Sequence, residues 1–113
     1  MAFKLKPSSK KDQNNILTLS GEIDLHNSPA VAASLKEIIA RKPPQVLVDL
    51  SQVSYIDSSG IAVMIEGMQN VQKYGGKFGI FGIQDSVRSI FEIARLDQVF
   101  RIFPDLKSAS AAA

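Results

Sequence analysis

Cysteine is absent from this 113-residue chain. No disulfide can staple the fold and no thiolate can hold a metal, and the chain suits a reducing compartment such as the cytoplasm, the expected location. Long apolar runs are missing too. No stretch approaches the ~20 residues needed to cross a bilayer, so direct membrane insertion is not expected. The amino-terminal MAFKLKPSSKKDQNN lacks the apolar segment of a secretory signal. Charge of one sign is barely in excess, at +2. The isoelectric point near 9 follows from lysine titration, because the cations are dispersed and aromatics do not alternate with them. Nucleic acid is therefore not an expected partner. Histidine occurs once, as His26, and no internal repeat is visible.

Apolar residues make up 45% of the chain, enough for the core of one ordinary domain. The organising stretch is Val46 to Tyr74. Val46, Leu47, Val48 and Leu50 follow Pro43-Pro44 and read as a strand covered on both faces. From Ile61 the period changes, with Ile61, Met64, Ile65, Met68 and Val71 at helical spacing. The switch lies between Tyr55 and Gly60.

Before it, Phe3 and Leu5 alternate with lysines in a short edge strand. Lys10 to Asn15 is a polar turn, and Ile16, Leu17 and Leu19 begin a second strand ending near Gly21–Asp24, the two forming a hairpin. Ser28-Pro29 predicts a helix start, with serine as cap and proline in the first position; Val31, Leu35, Ile38 and Ile39 are its buried stripe. After the central helix, Gly75-Gly76 predicts a stop, and Phe78, Ile80, Phe81 and Ile83 a further strand. Asp85 or Ser86 is expected to cap a third helix facing inward through Val87, Ile90, Phe91 and Ala94. Leu96 to Phe103 holds a last short strand or turn, packed through Val99, Phe100, Ile102 and Phe103. The expected domain spans residues 1–104, with 105–113 a frayed tail. The class is α/β: a mixed, mostly parallel sheet with right-handed βα crossovers and an antiparallel first strand.

The inventory argues against a self-contained enzyme. A serine nucleophile needs a base, and the G-x-S-x-G elbow is absent; His26 sits in a polar loop, where a solvated side chain is the plain reading. Glu22 and Asp24 read as polar turn residues, and no repeated His/Asp/Glu spacing suggests a metal. Neither metal nor cofactor is expected. Gly75-Gly76-Lys77-Phe78-Gly79 runs from helix into strand, the reverse of a phosphate-cradling loop.

Asp57-Ser58-Ser59-Gly60 remains. Capping alone accounts for Asp57 or Ser58, and Ser59-Gly60 fit a tight turn. Two features suggest more. Gly60 in the opening helical turn costs ~1 kcal/mol relative to alanine, which a close-approaching partner would explain. A phosphate on a hydroxyl there would meet the positive end of the helix dipole and free amides.

The run VDLSQVSYIDSSGIAVMIEG resembles the phosphoacceptor segment of STAS domains, in particular bacterial anti-sigma factor antagonists. LTLSGEIDLHNSPAV resembles that family's second strand and following loop, and YGGKFGIFGIQDSVRSIFEIARLDQVF its carboxy-terminal half. The resemblance implies a partner switch. The unphosphorylated antagonist would bind a serine kinase that is also an anti-sigma factor, freeing the sigma factor. Phosphorylation of Ser58 would release the complex, and a metal-dependent, PP2C-type phosphatase would reset it. It further implies that Asp24 and Asn27 are partner or site contacts, that Asp57 orients the helix, and that Ser59 and Gly60 line the docking surface. The alternative within the family is a non-switching subunit of a phospholipid ABC transporter or other signalling assembly.

Overall fold

Branched apolar side chains at alternating positions favour a pleated strand buried on both faces, and β3, Gln45–Ile56, is that strand. Val46, Val48 and Leu50 enter one core and Leu47 the other, as alternation requires. The computed structural model describes the backbone of residues 3–7 and all of residues 15–112. The turn expected over Lys10 to Asn15 lies, except for Asn15, outside them.

Five strands form one sheet in the order β1-β2-β3-β4-β5. β1, Phe3–Pro7, runs antiparallel to β2, Ile16–Ile23. β2, β3, β4 (Lys77–Phe81) and β5 (Arg101–Phe103) are mutually parallel. The mixed, mostly parallel sheet and the hairpin of its first two strands match the sequence reading.

Helices α1, Ser28–Ala40, α2, Ser58–Lys73, and α3, Asp85–Ile93, contribute to the larger core. Val31, Leu35, Ile38, Met64, Met68, Val71, Val87 and Phe91 are buried there with Leu17, Leu19 and Ile80 of the sheet. Phe91 packs against Phe100, ring centroids 5.7 Å apart. The opposite face carries Ile16, Leu47, Phe81 and Ala109. Ala109 belongs to α4, Leu106–Ala111, where a frayed tail was expected. Asp105 caps this helix, and Gln45 Nε2 donates to the Ala109 carbonyl at 2.9 Å. Alanine and serine carry too weak an apolar pattern to announce a docked helix.

Asn27, not Ser28, holds the cap position of α1, and its side chain makes no capping bond there. Gln84 precedes α3, placing Asp85 and Ser86 inside the first turn. Ala94 and Val99 are exposed: α3 ends at Ile93, and Leu96–Gln98 form a 3-10 turn that breaks the inward period. The Gly75-Gly76 stop is present. Gly75 has φ +84°, the Gly75 amide bonds the Gln72 carbonyl and the Gly76 amide bonds the Val71 carbonyl, both at 3.0 Å, the paired closure of a Schellman turn.

Arg95 adopts the same left-handed conformation without glycine's freedom, at φ 59° and ψ 26°. An L-residue there costs ~1 kcal/mol, and glycine's greater unfolded-state entropy offsets part of that. Arg95→Gly should therefore raise stability by roughly 0.5 kcal/mol and the melting temperature by a few degrees, read by calorimetry. A lower melting temperature would show that the Arg95 side chain contributes more than its backbone loses.

Candidate functional site

Two chain connections leave the sheet side by side. Ile23 and Ile56 are register partners at the ends of β2 and β3, and the Asp57 amide donates to the Ile23 carbonyl at 3.1 Å. In parallel sheets the carboxyl ends of strands are where loops and helix starts converge. Here they bring together residues 24–27 and 57–60, the two segments singled out in the sequence.

Residues 24–27 are built by reciprocal bonding. Asn27 Oδ1 accepts from the Asp24 amide at 2.8 Å, and Asn27 Nδ2 donates to the Glu22 carbonyl at 2.7 Å. Asp24 Oδ1 accepts from the amides of His26, 3.0 Å, and Asn27, 3.3 Å. The side chains of Asp24 and Asn27 thus define the loop. Its tip presents Leu25, 73% exposed, and the exposed His26.

Asp57 caps α2. Its Oδ1 accepts from the Ser59 amide at 2.9 Å, the Gly60 amide at 3.2 Å and the Ser59 hydroxyl at 2.5 Å. The Ser59 hydroxyl is the largest influence holding the Asp57 carboxyl below its ordinary 3.8; partial desolvation opposes it, and the amides of Gly60, Ser59 and Leu25 reinforce it. Because the folded-state value is depressed, this carboxylate stabilises the fold fully above pH 3.8 and loses that contribution as pH falls below it. Ser59→Ala should bring the Asp57 titration back toward 3.8, followed by carboxyl carbon NMR. An unchanged titration would remove Ser59 as the main cause.

The adjacent serines, alike in sequence, differ in the structure. Ser59 is half-buried with its hydroxyl committed to Asp57. Ser58 is exposed, and its hydroxyl has no hydrogen bond among the described residues.

Gly60 departs from expectation. It is buried, and a Cβ there would meet Ile23 Cγ2 and Ile56 Cγ1, each at 2.7 Å. The sheet beneath, not a docking partner, requires its bare backbone, so Gly60 does not line the surface. Expected free amides are scarce as well, since Asp57 already takes those of Ser59 and Gly60.

Three flanking features escaped the sequence reading. Tyr55, opposite Glu22 in the register, is 44% exposed. Leu25 sits in a polar loop outside every apolar stripe, which was the available signal. Third, β4 leaves the sheet at Phe81, opposite Asp49, while β3 continues to Ile56. Side chains close the edge left open: Gln84 Nε2 donates to the Ser51 carbonyl and Ser86 Oγ to the Ser54 carbonyl, both at 2.9 Å.

Among the described residues no group of three or more His, Asp or Glu is placed to share a metal ion, and no helix is long and apolar enough to cross a membrane.

The STAS domain profile matches residues 6–109. The chain belongs to the STAS domain family. An anti-sigma-B factor antagonist of Listeria monocytogenes is 28% identical over 94 residues, 82% of each chain. The anti-sigma-F factor antagonist RsfB of Mycobacterium tuberculosis is 29% identical over 94 residues, covering 83% of this chain and 76% of RsfB. The crystal structure of an anti-sigma factor antagonist from Mycobacterium paratuberculosis superposes with a TM-score of 0.85 at 25% identity, covering 98% of this chain and 93% of that one. In this STAS domain the Asp57–Gly60 segment lies beside the Asp24–Asn27 loop at one end of the sheet.

Proposed function

We propose that this STAS domain is an anti-sigma factor antagonist switched by phosphorylation of Ser58. Unphosphorylated, it binds a serine-kinase anti-sigma factor through the end of the sheet formed by residues 24–27 and 57–59, and the sigma factor is released. Transfer of a phosphoryl group to Ser58 ends the complex, and a PP2C-type phosphatase restores it, all in the cytoplasm. The observation that carries this reading is the contrast between the serines: Ser58 offers an exposed, uncommitted hydroxyl, whereas Ser59's is held by Asp57. The names of the curated relatives support the antagonist role.

The energetics suit a switch without refolding. A dianion introduced into a closed interface loses its water and has Asp57 as neighbour, which costs several kcal/mol. Tenfold weaker binding needs only ~1.4 kcal/mol. The test is incubation with the kinase-type anti-sigma factor of the same organism and ATP. One phosphoryl group should be gained, at Ser58 by peptide mass spectrometry, and Ser58→Ala should gain none. Modification at Ser59, or binding without any phosphorylation, would overturn the assignment.

A further inference from the structure

A phosphate on the first residue of a helix is ordinarily drawn inward, because unsatisfied amides and the helix dipole are ready ligands for it. Three of the four orphan amides of α2 already have partners. The Asp57 amide bonds the Ile23 carbonyl, and those of Ser59 and Gly60 bond Asp57 Oδ1. Only the Ser58 amide has no partner among the described residues. To reach the others, a phosphate would have to evict a carboxylate that the Ser59 hydroxyl also grips.

We propose that the Asp57–Ser59 clamp withholds the helix amides from a phosphate on Ser58, so that its charge stays directed outward. The proposal rests on Ser58 being the acceptor and adds how the modified state is read. An inward-held phosphate would spend its charge on its own helix and hide its oxygens. An outward phosphate, beside Asp57, repels an approaching surface and stays open to a phosphatase. The clamp thus serves both the release and the reset.

The test installs phosphoserine at position 58 during translation, so its outcome does not depend on whether any kinase modifies that residue. The phosphate is titrated by phosphorus NMR, while amide proton shifts of Ser59 and Gly60 are followed by proton–nitrogen correlation. The ionisable neighbours to be tracked are Asp57, Glu22, Asp24 and His26, with Asp85 of α3, whose neighbour Ser86 bonds β3. In the wild-type sequence the second ionisation should stay at or above the ~6 of free phosphoserine, and the two amides should not follow it. Asp57→Asn removes the charge and keeps an acceptor, so it should lower the value while leaving the amides still. Asp57→Ala frees them: both should move downfield with phosphate ionisation, and the value should drop by a further half unit or so. Should Asp57→Ala fail to fold, Ser59→Ala, which loosens the clamp without removing the cap, should show the same amide response in weaker form. Wild-type amides moving downfield in step with the phosphate would overturn the proposal, as would variants indistinguishable from wild type.

Discussion

Gly60→Val should lower stability by about 3 kcal/mol and the melting temperature by more than 10 °C. The reason is the floor beneath α2. Even one Cβ at Gly60 would sit 2.7 Å from Ile23 Cγ2 and from Ile56 Cγ1, and 3.1 Å from Ile56 Cδ1. Both isoleucines are buried, at 0% and 1% exposure, and end the paired strands β2 and β3. Their branched side chains have few alternative rotamers, so relief requires α2 to lift from the sheet. Overpacking of this kind typically costs 1–3 kcal/mol. Alanine recovers ~1 kcal/mol of helix propensity and should end only modestly destabilised. Valine adds two methyl groups and β-branching and lies at the severe end. Urea denaturation of the three proteins decides it: a valine variant as stable as wild type would mean that α2 does not rest on these isoleucines.

Loss of partner binding is the second large effect. Ser58→Asp should weaken association with the kinase-type anti-sigma factor by roughly 100-fold, equivalent to ~2.7 kcal/mol, while Ser58→Ala binds as wild type. The aspartate carries one charge where a phosphate carries nearly two, so it understates the natural effect. Gln72→Glu, an exposed position near the far end of α2 and about 21 Å along the helix from Ser58, provides the control: it adds the same charge away from the site and should leave affinity within about threefold, since distant surface charges are screened. Isothermal titration gives all three values. Equal binding by wild type and Ser58→Asp would end the switch reading while leaving the fold untouched.

Strand β3, its change of period into α2, the stop at Gly75-Gly76 and the antiparallel first strand follow from alternation, helical spacing and turn chemistry. These operate over a few residues and leave marks in order along the chain. The Asp57 cap is of the same kind, because its partners are two and three residues away. The role of Gly60 was not legible: the sequence shows a costly glycine, but the atoms that forbid a side chain belong in part to Ile23, on another strand. The α1 cap falls one residue before the serine of Ser28-Pro29: the Asn27 carbonyl accepts the Ala30 and Val31 amides, while its side chain is taken by Asp24 and Glu22.

By itself, then, the sequence determined the order and type of the elements from β1 to α3 and put two hydroxyls at the start of α2, since backbone preference and apolar period act locally. Only the tertiary structure decided which hydroxyl is free, why Gly60 is bare, and that residues 106–111 dock as α4 against β4 and β5. Each outcome depends on groups that folding alone brings into contact, as with Gln45 and Ala109, 64 positions apart, and no local pattern encodes such a meeting.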